Sequence, residues 1–214
     1  MTAVAFGAVA ALGDPLRRNL YDLVCAQSAG VTRDTAAQLA GVARHVAAYH
    51  LDQLARGGLL DVAYRRTGDR RGPGAGRPAK VYTRAATPVD VSLPPRNYGL
   101  ASRVLLDAVS GDGDPVAAAR RCGEEMGRTA RDDAAGLDAL LGVLRDNGFE
   151  PQREGGTVRL RNCAFHELAE RDRATVCAMN LGLMRGIVAG LQLENVTAAQ
   201  QPLALGCCVA FSTR

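Results

Sequence analysis

Residues 43–83 read ARHVAAYHLDQLARGGLLDVAYRRTGDRRGPGAGRPAKVYT, and this stretch decides the fold. Val46, Ala47, His50, Leu51 and Leu54 recur at helical spacing, so one face of a helix from about Ala43 to Arg56 is apolar. Gly57-Gly58 stops it. Leu59 to Tyr64 and Lys80 to Thr83 have strand character, and Gly and Pro exclude regular structure between them. Working backwards, Gly41 makes a tight turn and Thr32 caps a short helix from Asp34 to Leu39. Residues 4–28 carry a helical period through Val9, Leu12, Leu16, Leu20, Leu23 and Val24. Gly13-Asp14-Pro15 interrupts that run, with Asp14 placed as an N-cap and Pro15 in a first turn. Helix, helix, turn, helix, strand, basic loop, strand is the order of a winged helix-turn-helix.

Such a motif lays the N-terminal half of its second helix in the major groove. Here Arg44, His45, Ala48 and Tyr49 lie off the apolar face and are placed to reach bases or phosphates. His50 faces the expected core and reads as structural. The wing, residues 65–80, carries six basic side chains, Arg65, Arg66, Arg70, Arg71, Arg77 and Lys80, against Asp69 alone. Its glycines allow close backbone approach, so it should add a salt-dependent and weakly specific grip on phosphate. The charge balance agrees. Residues 1–84 hold 12 Lys and Arg against 6 Asp and Glu, whereas the rest hold 14 against 16.

Beyond Thr87 to Pro95, which has three prolines and no helical period, the pattern changes. Residues 98–110, 114–133, 134–147 and 174–191 read as helices, and residues 157–160 and 203–211 as strands. The expected fold is α+β: a winged helix-turn-helix over 1–86, a linker over 87–97, and an α/β sensor and dimerisation domain over 98–214, with helices and a small sheet. No apolar run approaches the roughly 18–20 residues of a membrane span. The apolar start lacks a basic n-region, and six cysteines without a dense framework do not read as a secreted disulfide scaffold. A cytoplasmic location is expected.

Four of those cysteines gather late in the chain. Cys163 and Cys177 are separated by 13 residues, and Cys177 and Cys207 by 29. This is neither paired CxxC zinc spacing nor a ferredoxin run. Cys163 follows a strand in a polar loop, where backbone N–H groups can meet sulfides. Cys177 lies near a helix start, where the dipole favours thiolate. Cys207-Cys208 would alternate faces on a strand, so one of them points into a shared pocket. His166, three residues after Cys163, is a further candidate ligand. Cys25 and Cys122 sit among apolar or small residues and read as buried packing.

At these residues the chain resembles the SufR-like branch of ArsR/DeoR-type winged-helix regulators, which sense iron–sulfur clusters. The resemblance covers nearly the whole length. It runs through residues 46–54, Gly57-Gly58-Leu59-Leu60 and residues 76–82. It continues through residues 160–166, Val176-Cys177-Ala178-Met179-Asn180, Gly186, Gly190-Leu191 and Cys207-Cys208-Val209. It implies a homodimeric repressor that binds an inverted-repeat DNA operator and holds a 4Fe-4S cluster in each C-terminal domain. Known members control cluster-assembly genes. Carried over, the ligands are Cys163, Cys177 and one of Cys207 and Cys208. The family often has Pro where this chain has Ala164, and some members have a further Cys where this chain has none between 177 and 207. The fourth place stays open to His166, the second member of the Cys207-Cys208 pair, a carboxylate or an external molecule. Two other readings compete: a winged-helix repressor with a zinc or thiol–disulfide switch, and a small-molecule-binding or enzymatic domain on a DNA anchor. Against catalysis, no Ser-His-Asp pattern, phosphate-binding Gly motif or H-E-x-x-H is present.

Overall fold

Gly13-Asp14-Pro15 does split the first helical run. α1 spans Ala3–Ala11, and α2 restarts at Pro15–Cys25 because the Asp14 side chain accepts the Arg17 N–H at 2.9 Å. The computed structural model describes residues 3–66, 78–131, 135–201 and 206–213. It divides into two units, Met1–Val91 and Ser92–Arg214. Among the described residues no helix is long and apolar enough to cross a membrane.

In the first unit α2 leads through β1 (Val31–Thr32) to α3 (Arg33–Ala40), which Thr32 caps. Gly41 closes α3 at φ 65°, a left-handed position that favours glycine. α4 (Arg44–Arg56) is the second helix of the motif, and β2 (Leu60–Arg65) and β3 (Ala79–Arg84) are the wing strands. The sheet order is β1-β3-β2, all antiparallel, with Val62 opposite Tyr82 and Arg65 opposite Ala79. Leu20, Val24, Ala36, Ala47, Leu51, Leu54 and Tyr82 fill the core.

One carboxylate ties this unit together. Asp52 of α4 accepts from Arg33 Nη2 at 2.7 Å, from Tyr82 Oη at 2.7 Å and from Lys80 Nζ. Arg33 Nε also donates to Tyr82 Oη at 3.0 Å. α3, α4 and β3 therefore meet on one half-buried group. Burial alone would raise the Asp52 pKa; hydrogen bonds from Lys80 and Tyr82 and the Arg33 charge outweigh it and hold the carboxyl below its usual range.

In the second unit the helices are α5 (Tyr98–Ser110), α6 (Pro115–Arg131), α7 (Gly136–Asp146), α8 (His166–Arg171) and α9 (Arg173–Gly190). The strands are β4 (Pro151–Glu154), β5 (Thr157–Leu160), β6 (Val196–Gln200) and β7 (Val209–Thr213), in the order β4-β5-β7-β6, all antiparallel. The final strand starts later than residues 203–211 suggest, and residues 202–205 lie outside the described residues. The stretch 87–97 is packed at both ends. Val89 packs on the first unit's core, and Asn97 N–H donates to Ala164 O within the second unit.

α6 and α9 approach as closely as backbones allow. Gly123 and Gly127 on α6 face Gly182, Gly186 and Gly190 on α9, each set at a four-residue spacing. A Cβ on Gly186 would stand 2.1 Å from Arg120 O, and one on Gly123 would stand 2.2 Å from Leu183 O. Neither obstacle is a flexible side chain, so the helices would have to separate.

Gly186→Ala should therefore destabilise the protein by about 3 kcal/mol or more in a denaturant titration, at the upper end of overpacking costs. Gly142→Ala on α7, where a Cβ meets nothing within 4 Å, should be neutral or stabilising by up to about 1 kcal/mol. Asp52→Ala should cost the first unit about 2 kcal/mol, because two cations lose their shared acceptor. The Asp52 pKa is lowered in the folded state. Its contribution is thus complete above the unfolded carboxylate value of about 3.9 and disappears as pH falls through the folded value. Thermal melts of wild type and Asp52→Ala should converge in acid.

Candidate functional site

The helix-turn-helix face begins where α4 leaves the Gly41 turn. Arg44 and His45 are exposed in its first turn, Tyr49 is 60 % exposed one turn on, and Ala48 is half-buried between them. Arg44 Nε donates to Asp34 Oδ1 of α3 at 2.6 Å, and both side chains remain about two-thirds open. Arg65 and Arg66 are exposed at the end of β2. Arg70, Arg71 and Arg77 lie outside the described residues. Lys80 differs from its expected place: its ammonium is committed to Asp52 and lies over the Tyr82 ring, 5.1 Å from the centroid. It braces the wing strand against α4. His50 is half-buried, with no partner for Nδ1 among the described residues.

The second constellation is the thiol group. Cys163 leaves β5 in a loop held from behind by Asn162. That buried amide donates from Nδ2 to Pro95 O and to Gly148 O, both at 2.6 Å, and accepts from Arg96 Nη1 at 2.5 Å. Phe165 seals the loop edge-on against Phe149, with centroids 5.7 Å apart. Cys177 lies in the second turn of α9, whose first turn is capped by Asp172 accepting the Thr175 N–H at 3.1 Å. Cys207 and Cys208 occupy the turn before β7. Cys207 N–H donates to Leu160 O at 2.9 Å, and Cys208 O accepts from Gln201 N–H at 2.7 Å.

Cys207 and Cys208 precede β7 and do not lie on it, so the alternation expected of a strand does not separate them. Cys163 and Cys208 each shift the ionisation of Cys207, and Cys177 and Cys208 shift one another, so the four thiols act on each other. The result is a run of four thiols, 163–207–208–177. His166 follows closely on Cys163, its backbone N–H donating to Cys163 O at 3.3 Å. It opens α8 about half-exposed, and its Nε2 lies 3.2 Å from Glu170 Oε1. Cys25 and Cys122 stay outside the group. Cys122 lies against Met126, 4.0 Å between sulfurs, and burial raises its pKa. Among the described residues no three Cys, His, Asp or Glu side chains are grouped as ligands of a single metal ion.

The four sulfurs ionise unequally. The hydrogen bond from Cys207 brings Cys163 down to about 7 against the pull of burial, with help from the Phe165 N–H and the Arg96 charge. The same neighbour brings Cys208 down to about 6. Burial, then Cys208, pushes Cys177 up to about 12, so at this position the helix start does not produce a thiolate. Cys207 is raised most, as the donor to Cys163 and Cys208 and as a buried group. Sequence reasoning missed Asn180, which is 1 % exposed on α9. Its Nδ2 donates to Cys207 Sγ at 3.0 Å, while its Oδ1 is buried without a partner among the described residues. An unsatisfied buried acceptor costs about 1–3 kcal/mol. A helical polar residue three positions after Cys177, on the stripe that faces inward, was the available signal.

Alkylation of the reduced, metal-free protein at pH 7 should follow the thiolate order. Mass spectrometry should find Cys208 modified first, Cys163 next, and Cys177 and the fully buried Cys207 last; equal rates at all four would contradict the unequal ionisation.

Residues 12–63, from the residues before α2 into β2, match a family model described as a helix-turn-helix domain. Comparison with curated proteins and with solved structures gave no match. The matched span contains α2, α3, the Gly41 turn and α4 with its exposed Arg44, His45 and Tyr49. The chain is a DNA-binding transcription regulator built on a helix-turn-helix domain with a wing.

Proposed function

We propose that this regulator is a repressor whose grip on its operator follows the state of an iron–sulfur cluster of the 4Fe-4S type. The thiolates of Cys163, Cys177, Cys207 and Cys208 would hold it. The reading rests above all on the meeting of four thiols from three segments distant in sequence. The donor set fits the group. Thiolates are the ligands of such clusters, and hydrogen bonds to their sulfurs tune them. Here a buried sulfur already accepts an amide N–H, beside a buried carbonyl oxygen that lacks a partner among the described residues. When bound, the cluster supplies a redox-sensitive and oxygen-sensitive link between these segments.

The residues themselves do the mechanical part. Cys163 anchors the β5–α8 loop, Cys177 the start of α9, and Cys207 with Cys208 the turn into β7. With all four sulfurs engaged, the three segments are held as one body; with the sulfurs free, each regains its own motion. A change of operator affinity then needs only a few kcal/mol of differential DNA binding between two states. The protein acts as a homodimer on an inverted repeat, following the two-fold logic of helix-turn-helix proteins. α5 supports this by leaving Leu106 and Val109 exposed, apolar surface of the kind subunit contacts cover. Control of cluster-assembly genes is the corresponding regulatory role.

Protein purified without oxygen should show broad visible absorbance and about four irons and four sulfides per chain. Cys163→Ser should lose most of both. A gel shift on the protein's own promoter should differ between the loaded and stripped forms. Absence of visible absorbance, iron and sulfide from the anaerobic wild type sinks the reading, and zinc without sulfide would replace it with a single-ion switch.

A further inference from the structure

Asn180 is poorly explained as packing. It sits on α9 one turn beyond Cys177 and is 1 % exposed, yet its Oδ1 has no partner among the described residues. An apolar side chain of the same branched outline would leave no polar atom unsatisfied. What the amide adds is one bond, from Nδ2 to Cys207 Sγ at 3.0 Å. That bond joins α9 to the turn before β7. It reaches the one cysteine of the four whose side chain is fully buried, where water cannot substitute as donor.

An N–H aimed at sulfur does two things. It fixes the direction in which the remaining lone pairs point, and it withdraws electron density from a thiolate. We propose that Asn180 is the positioning residue of the thiol group: it holds the Cys207 sulfur in its donor orientation and lowers its electron density, so that retention and reduction potential of the bound iron–sulfur group depend on this amide. This rests on the cluster reading above. The amide acts through Cys207, and Cys163, Cys177 and Cys208 are outside its reach by any hydrogen bond among the described residues.

The test uses the full chain, reconstituted anaerobically with ferrous iron and sulfide, as wild type, Asn180→Leu and Asn180→Asp. Leucine removes the donor, and aspartate replaces it with an acceptor of the same shape. Three readouts are compared: the thermal melt of the metal-free protein, the rate of iron release to a chelator, and the midpoint potential. The metal-free Asn180→Leu protein should keep a cooperative melt close to that of wild type, because losing the unsatisfied acceptor offsets the bulk of the larger side chain. Its loaded form should release iron roughly 10-fold faster or more, the usual range for a lost partner of a metal ligand. Its potential should move to more negative values, and that of Asn180→Asp further still. In a Cys207→Ser background, Asn180→Leu should add nothing further.

Wild-type release rates and potentials in both variants would overturn the proposal. So would additive effects of Asn180→Leu and Cys207→Ser, or loss of the metal-free fold in both Asn180 variants, which would make the residue a support of the fold alone. A wild type that takes up no iron and sulfide would instead overturn the cluster reading itself. The two failures are therefore distinguishable.

Discussion

The second unit depends on how closely α9 can approach α6. Five glycines strip the contact of side chains, so the two backbones set the separation themselves. The separation of α9 from α6 is set by backbone contact, since any Cβ at these positions would strike a carbonyl oxygen or an amide. Everything α9 carries inherits that separation. Met179, Leu183 and Ile187 enter the core, while Cys177 and Asn180 reach the turn before β7. A hydrogen bond from an amide to a sulfur tolerates little lateral error. The glycine contact is what allows a helix and a turn to share one, and the sulfur arrangement is a consequence of that packing.

The first unit solves a similar problem with charge. Asp52 gathers Arg33, Lys80 and Tyr82 and so fixes α4 against both α3 and β3. It commits the Lys80 ammonium within the unit, while Arg44, Arg65 and Arg66 stay exposed. Arg44 has its own acid, Asp34, at 2.6 Å on the open surface. Such an exposed pair adds little stability.

Much of this was legible in residue order. The capped restart at Asp14-Pro15, the Thr32 cap, the Gly41 turn, and the helices over 98–110 and 174–191 all follow from local chemistry that tertiary contacts do not override. The winged order followed from the same signals. What escaped was set by distance in space. β1, with two residues, and β4 and β6, with four and five, are too short and too polar to carry a period of their own; they exist because β3, β5 and β7 offer them edges. Lys80 read as a wing cation because nothing in the sequence puts Asp52 beside it. The Cys207-Cys208 pair was assigned to a strand that begins only at Val209, so the alternation expected of a strand does not apply to it. The Asn180 amide offered only a polar residue on an inward stripe; its bond escaped because the partner is 27 positions away.

The unequal ionisation of the four sulfurs bears on how they could be engaged at all. Four thiolates together would repel one another, and the shifts run accordingly: Cys207 and Cys177 are raised and so hold their protons more tightly, whereas Cys163 and Cys208 are lowered. A polynuclear cation that takes all four as donors, as proposed above, must displace both protons, so its binding is tied to pH. Lower pH favours the free thiols and release, and higher pH favours engagement. Cys163, on the β5–α8 loop, and Cys208, in the turn before β7, are nearest ionisation at neutral pH and would be the readiest donors to such a group; Cys207, raised most, would be the least ready. The Asn180 N–H, idle as far as charge is concerned while Cys207 remains a thiol, becomes most useful at the moment that proton leaves, because it then faces a buried thiolate that water cannot reach.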